Sequence, residues 1–304
     1  MEHWDELEQA LKAACPDLEL RREEPMDRHT SFRIGGPAAL MALPKSETQA
    51  AAAVQTAAGL GVKPFYMGNG SDLLVSDAGY NGFVVKSCGG LTDLNADGTA
   101  ITAGAGVLLS RIASFALERG LTGFEFAHGI PGSLGGAITM NAGAYGGELV
   151  DVLTEVCFLD ESGRQQTLPA ADCDLRYRHS CFSDGKRLIL GGTIALSSGD
   201  PHVIRARMEE LAEKRRSKQP LELPSGGSTF KRPEGHFAAA LIEQCGLKGL
   251  QVGGAQVSEK HAGFVVNVGG ATCADVIALT EQIKKRVLEQ TGVKLELEIQ
   301  TLGI

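Results

Sequence analysis

The first fourteen residues put Trp4, Leu7, Leu11 and Ala14 on one helical face with charged residues between them, so a packing helix is predicted to open the chain. After the charged stretch 21–28, HTSFRIGGPAALMAL reads as a loop leading into a strand. Ser46 and Gln49 form a capping-box signature before an Ala-rich helix that ends at Gly59 or Gly61. VKPFYMG then reads as a strand, GNGSDLLVSDAGYNG as the loop after it, and GFVVK as a further strand. A hairpin through Asp97 and Gly98 follows, then an amphipathic helix over 107–119 with Ile112, Phe115 and Leu117 turned partly inward. A second hairpin turns at Ser162 and Gly163, and RLILGGTIAL reads as a strand. Asp200 and Pro201 mark the start of a helix over 202–218, which sets a predicted domain boundary between 200 and 201. Beyond it, helix and strand alternate, closing with a capped helix over 274–290, Gly292 and the strand VKLELEIQTLG.

Composition narrows the class. At 304 residues the chain has room for two domains, and 43% hydrophobic with 22% charged residues describes a globular protein. No apolar run approaches the roughly 20 residues of a membrane span, and the opening helix is amphipathic rather than a signal peptide, so a cytoplasmic location is expected; a monomer is expected as well, without a motif that carries it. Seven cysteines without a CxxC pair suggest neither a disulfide framework nor zinc. His29, His128, His179 and His261 lack metal-ligand spacing, so no metal is expected. A net charge of −8 argues against nucleic acid or an anionic membrane as partner, although local basic residues can hold a small anion.

The candidate chemistry centres on 123–148, GFEFAHGIPGSLGGAITMNAGAYGGE, whose eight glycines make it unlike a core segment. Gly129, Gly132, Gly135 and Gly136 are expected to use positive φ and to let the backbone approach a ligand, with Pro131 stiffening the turn. Consecutive free N–H groups there would suit a phosphate or pyrophosphate. A Gly-rich surface loop is the competing reading, but the continuation AITMNAGAYGG is too small and apolar for a solvated linker. Gly68, Asn69, Gly70, Ser71 and Asp72 form a second loop directly after a strand, again fit for phosphate. The order is not G-x-G-x-x-G and no Walker lysine follows, which argues against a Rossmann fold or a P-loop NTPase.

Seven motifs in order carry a resemblance over 29–303: HTSFRIGGPA, GNGSDLL, the 123–148 stretch, YRHSCF, KQPLELPSGGSTFKRPEG, GAQVSEKHAGFVVN and LELEIQTLG. Together they resemble the UDP-N-acetylenolpyruvoylglucosamine reductase family. The resemblance implies an α+β fold: an FAD-binding domain of the vanillyl-alcohol-oxidase type over 1–200, with α/β lobes at about 1–90 and 91–200, and a substrate domain over 201–304 whose last strand returns Glu298 to the active site. It implies non-covalent FAD, NADPH as co-substrate, and reduction of an enolpyruvyl UDP-sugar in peptidoglycan precursor synthesis. Asp72 stands where many members have Asn, adding negative charge near the expected flavin phosphates. The 70 residues from Ser228 to Glu298 leave no room for the extra loop of longer members.

Roles follow residue by residue from the resemblance. FAD would be held by 68–72, by Gly129, Ile130, Pro131, Gly132, Ser133, Gly135 and Gly136, and by Asn141. Arg178 would stabilise the negative charge left beside the substrate carboxylate, a role that suits a permanently cationic fork. Ser228 would donate the proton, and Glu298 is selected over Glu296 because it precedes a β-branched residue, strand alternation alone leaving both on one face. Tyr177, Lys218, Lys231, Arg232, Gln256 and Asn267 would contact the substrate. An FAD-dependent alcohol or sugar oxidase and a non-catalytic nucleotide-binding module are the competing classes; the oxidase should lack the Arg, Ser and Glu set.

Overall fold

Local end-signals act where they are written. In the computed structural model, which describes residues 2–304, α1 (Glu2–Ala14) buries Leu7 and Leu11, half-buries Trp4 and leaves Ala14 exposed. Ser46 Oγ accepts from the Gln49 N–H at 3.2 Å at the head of α2 (Glu47–Gly59), while Gln49 Oε1 takes the N–H of Lys45 at 2.7 Å. α3 (Leu109–Glu118) buries Ile112 and Phe115. A short helix that the hydrophobic pattern did not predict, α4 (Leu134–Met140), lies inside the Gly-rich stretch. Glycine is a poor helix former, but Leu134, Ala137 and Ile138 are buried at i, i+3 and i+4, and tertiary packing outweighs propensity. Asp200 Oδ1 accepts from the His202 N–H at 2.8 Å at the start of α5 (Pro201–Lys218). α6 (Ala238–Gln244) precedes α7 (Cys273–Thr291), which has a reciprocal Thr272 and Asp275 capping box and ends at Gly292, φ 72°.

The chain folds into two compact units. One comprises residues up to Glu23, Ala39–Asn69 and Gly82–Glu213; the other comprises Glu24–Ala38, Gly70–Asn81 and Lys214–Ile304. The break therefore falls within α5 rather than at the 200/201 boundary expected from the turn. Ile204 and Met208, on the first half of that helix, belong to the first unit's core and hold it there.

The first unit's core gathers Leu40, Ala42, Phe83 and Val85 with residues of a five-stranded antiparallel sheet. That sheet runs in the order Gln165–Pro169, Leu153–Leu159, Leu188–Ala195, Ala100–Gly104, Leu94–Asp97. Its turn at 160–164 forms because Asp160 Oδ1 accepts the N–H groups of Ser162 and Arg164 at 2.8 and 3.0 Å. A four-stranded sheet orders Glu19–Pro25, Pro37–Leu43, Tyr80–Lys86 and Phe65–Met67, the last two running parallel.

The second unit's core packs α6 and α7 with a three-stranded antiparallel sheet of Gln251–Val252, Ala255–Val257 and Val265–Asn267. Phe32, Leu74, Phe230 and Ile299 complete it. The closing strand is shorter than expected: Leu297 makes an isolated bridge with Phe230, and Gln300–Leu302 pairs parallel with Leu73–Val75. Among the described residues no helix is long and apolar enough to cross a membrane.

Candidate functional site

In the first unit Gly68 and Asn69 meet the 129–136 loop where Phe65–Met67 ends and α4 begins. A Cβ on Gly68 would collide with Ser133 Oγ, so glycine is what allows the approach. Asn69 Nδ2 donates to the Pro131 carbonyl at 2.6 Å, and the Cys88 thiol donates to Asn69 Oδ1 at 3.4 Å. Ser133 is fully buried between the loops, and its hydroxyl has no hydrogen-bond partner among the described residues. The N–H groups of Leu134 and Gly135 donate to the carbonyls of Val107 and Ala105, each at 2.9 Å. Beside the open side of Gly136, where a Cβ would find no atom nearer than Ser133 Oγ at 4.0 Å, the chain leaves free space.

The expectation of left-handed backbone here is corrected. None of Gly129, Gly132, Gly135 and Gly136 takes a positive φ; Gly70, at 62°, does. Gly135 instead supplies proximity, since a Cβ there would stand 2.9 Å from that of Ala105. Gly135 and Gly136 lie within α4, whose helical angles leave no room for αL.

α4 stops at Asn141, a buried residue in αL with φ 41° and ψ 58°. Its Nδ2 donates to Glu148 Oε2 at 3.0 Å and to the Arg176 carbonyl at 3.2 Å, while its Oδ1 accepts from the Val150 N–H at 2.9 Å. Both amide hydrogens of Asn141 and one lone pair of its Oδ1 are thereby engaged inside the protein. Arg176 opens a tight turn closed by reciprocal 3.0 Å N–H···O bonds with His179. Arg178 sits in that turn at φ 53°, with its guanidinium 5.0 Å from the ring centroid of exposed Tyr177. Such a position in a type II turn is one that glycine ordinarily fills. Asp174 closes the turn from the other side, Oδ2 lying 2.8 Å from the Arg176 guanidinium and 3.1 Å from His179 Nε2. The Arg176 guanidinium, and then His179, hold the Asp174 carboxyl below the ordinary aspartate range.

In the second unit Ser31 ties the expected site segments together. Its hydroxyl lies 2.6 Å from the Ser225 carbonyl and 3.1 Å from that of Ser71, and its N–H donates to the Gly70 carbonyl at 3.1 Å. Gly226 presses on Phe32 too closely for any side chain. Exposed Ser228 precedes Thr229, which is fully buried with Oγ1 accepting from the Val265 N–H at 2.9 Å. The Thr229 carbonyl accepts the N–H of Glu298, and the Glu296 carbonyl accepts that of Lys231, both at 2.9 Å. Glu298 thus stands opposite Thr229, one register step from Ser228. Half-buried Glu298 and exposed Glu296 are told apart here, which alternation alone left open. The Gln300 N–H donates to the Asp72 carbonyl at 2.8 Å, bringing 70–75 into the same hydrogen-bonded set.

Of the remaining expected contacts, Lys218 is exposed at the end of α5 and Arg232 stacks 4.6 Å from the Phe237 ring centroid. Gln256 Nε2 donates to Gln251 Oε1 at 3.3 Å. Asn267 is engaged inside the protein. Its Nδ2 donates to the Phe32 carbonyl at 3.2 Å, and its Oδ1 accepts from Gly269 and Ala271 at 3.0 and 3.2 Å. Its oxygen and one of its two amide hydrogens are thereby engaged.

A family model described as the C-terminal domain of UDP-N-acetylenolpyruvoylglucosamine reductase matches residues 219–302, and one described as an FAD binding domain matches 38–169. The chain is 47% identical to the UDP-N-acetylenolpyruvoylglucosamine reductase of Caldanaerobacter subterraneus subsp. tengcongensis, over 96% of this chain and 97% of the relative. It is 43% identical to that of Clostridium novyi, over 98% and 97%. The chain belongs to the UDP-N-acetylenolpyruvoylglucosamine reductase family. The crystal structure of the family's enzyme from Thermus caldophilus superposes with a TM-score of 0.80 at 32% identity, covering 94% of this chain and 98% of that one.

Family membership brings the expected α+β fold class, an FAD-binding domain with a separate C-terminal domain. The first unit fits FAD: a buried hydroxyl without a partner at Ser133 and the open side of Gly136 lie together where the two loops meet. Two residues that hold these loops and turns went unremarked in the sequence. Ser31 is one serine within HTSFRIGG, and only the folding that brings it to Ser225, 194 positions along the chain, makes it a link. Asp174 had a readable signal, since an acidic residue two before one arginine and four before another suits a turn clamp.

Proposed function

We propose that this chain reduces the enolpyruvyl group of UDP-N-acetylglucosamine enolpyruvate to UDP-N-acetylmuramate, with non-covalent FAD and with NADPH as hydride source, as a cytoplasmic monomer in peptidoglycan precursor synthesis. The backbone ladder that sets Glu298 opposite Thr229, the residue after Ser228, is the observation that carries the reading. FAD, when bound, would supply the hydride chemistry between NADPH and the terminal enolpyruvyl carbon. Gly68, Asn69, Gly70, Ser71, Asp72 and residues 129–136 would hold it.

The chain's own residues then deal with charge and a proton. Negative charge develops on the carbon next to the substrate carboxylate, and Arg178, always cationic, stabilises it. Its strained turn is locked on both sides, so little reorganisation is needed as charge develops. Ser228 donates the proton to that carbon; a serine suffices because the acceptor is strongly basic and the geometry is fixed by buried Thr229. Glu298 acts with Arg178 on the developing charge. Tyr177, Lys218, Lys231, Arg232, Gln256 and Asn267 contact the UDP-sugar, most of them from the C-terminal domain matched over 219–302.

The test is the visible spectrum of purified protein before and after anaerobic NADPH, then after the enolpyruvyl UDP-sugar. A yellow protein bleached by NADPH and recoloured by the sugar nucleotide is expected, with the flavin released by acid precipitation. A colourless protein that FAD cannot reconstitute, or reduction by alcohols and sugars in place of NADPH, would overturn the assignment. Size-exclusion chromatography checks the monomer.

A further inference from the structure

Among the described residues six non-glycines take a positive φ: Glu23, Arg33, Asn141, Tyr145, Asp174 and Arg178. Four of these, all in the first unit, are joined through one side chain and one carboxylate. Tyr145 (φ 54°) and Gly146 (φ 90°) form the two-residue turn of the hairpin Gly143–Ala144 and Gly147–Glu148, a geometry that favours Asn-Gly over an aromatic. Glu148, where that hairpin ends, receives one hydrogen of the Asn141 amide. Arg176, where the Arg178 turn begins, receives the other. Asp174 grips the same turn through Arg176 and His179. Bulky residues persist at such angles only when their surroundings over-determine them, and such strain concentrates where side chains do chemistry.

We propose that Asn141 is the positioning residue for Arg178, its carboxamide fixing the base of the Arg176–His179 turn against Glu148. The proposal rests on the reading of Arg178 as the charge-stabilising residue. Asparagine meets three demands at once. It tolerates αL, it has the two N–H hydrogens that a carbonyl and a carboxylate require, and it has the oxygen that the Val150 N–H requires. Aspartate would keep the backbone and the Val150 bond, but it has no hydrogen to give and would face the Glu148 carboxylate. Glycine would keep the backbone alone.

These two substitutions separate the side chain from the helix end. Asn141→Gly and Asn141→Asp should purify with flavin at the wild-type ratio and be reduced by NADPH at close to the wild-type rate. Turnover should fall about 10-fold to 100-fold, the usual scale for loss of an orienting partner, with little change in the Michaelis constant for the sugar nucleotide. Independently of activity, amide exchange at Arg176 and His179 should rise at least about 10-fold while α4 stays protected. Adding Asn141→Gly to Arg178→Ala should cause no further loss of turnover. Turnover of Asn141→Gly within about 2-fold of wild type, loss of flavin in step with turnover, or exchange that rises through α4 as well would each overturn the proposal. If Arg178→Ala itself keeps its turnover, the reading of Arg178 fails, and the exchange result still decides whether Asn141 holds the turn.

Discussion

Arg178 occupies an angle that suits glycine, so Arg178→Gly and Arg178→Ala should differ in an unusual direction. At φ 53° any residue with a Cβ carries a strain of about 1–2 kcal/mol, which alanine keeps and glycine removes. Glycine in turn gains freedom in the unfolded chain, worth about 0.5–1 kcal/mol against alanine. Both variants lose the exposed stack of the guanidinium on Tyr177, so that contribution cancels between them. The glycine variant should therefore be more stable than the alanine variant by about 0.5–1 kcal/mol, the reverse of the order at ordinary positions. For a unit of this size that is a melting difference of about 2–3 °C. Thermal unfolding of both holoproteins measures it, and anaerobic stopped-flow measures the chemistry. Flavin reduction by NADPH should stay near normal in each, while turnover falls about 10²-fold to 10³-fold, the scale for removing a charge-stabilising donor. An alanine variant as stable as the glycine variant would refute the strain argument, and a glycine variant with normal turnover would refute the role of Arg178.

Four further outcomes are expected. Gly136→Ala meets no protein atom nearer than 4.0 Å, so it should fold normally, even with a gain near about 1 kcal/mol in helix propensity, yet retain flavin less well; unchanged flavin affinity by fluorescence titration would mean the open space is not the cofactor's. Ser228→Ala should be reduced by NADPH normally while reoxidation by substrate slows about 10²-fold to 10⁴-fold, with Ser225→Ala much closer to wild type; equal reoxidation rates would remove Ser228 from the chemistry. The Asp275 carboxyl is held low, first by the Thr272 N–H and then by that of Gly254, so its contribution to stability is fully present above the unfolded value near about 3.9 and is lost as pH falls through the lowered folded one. The melting gap between wild type and Asp275→Ala should accordingly be constant above about pH 5 and close toward about pH 2, and a gap that widens on acidification contradicts the linkage. Burial pushes the thiols of Cys173 and Cys273 up to about 12 and about 11, so alkylation of the native protein at about pH 8 should be at least about 10²-fold slower at both than for a free cysteine, as mass spectrometry of labelled peptides would reveal.

Much of the fold was legible because its signals are short-range. The Ser46 and Thr272 caps, the Asp160 turn and the Gly292 stop each depend on residues within four positions, so they read directly from the chain. The order of seven motifs likewise carried the family. What misled was also local. The glycines of 129–136 suggested left-handed turns, but whether a glycine supplies an angle or a close approach depends on what lies across from it. Ala105, which faces Gly135, is far away in sequence.

Residue identity alone determined which groups are present to do chemistry: a permanent cation at 178, a hydroxyl at 228, carboxylates at 296 and 298, and small backbone-exposing residues in two loops. Tertiary structure decided how deeply each of them is buried and what it is bonded to. It engaged the amides of Asn141 and Asn267 within the protein, half-buried Glu298 beside Ser228 while leaving Glu296 in solvent, and moved the unit break into α5. The physical reason is that a polar side chain's role depends on whether its few hydrogen-bonding sites are already satisfied. The partners that satisfy them come from segments that only folding brings within about 3 Å of one another.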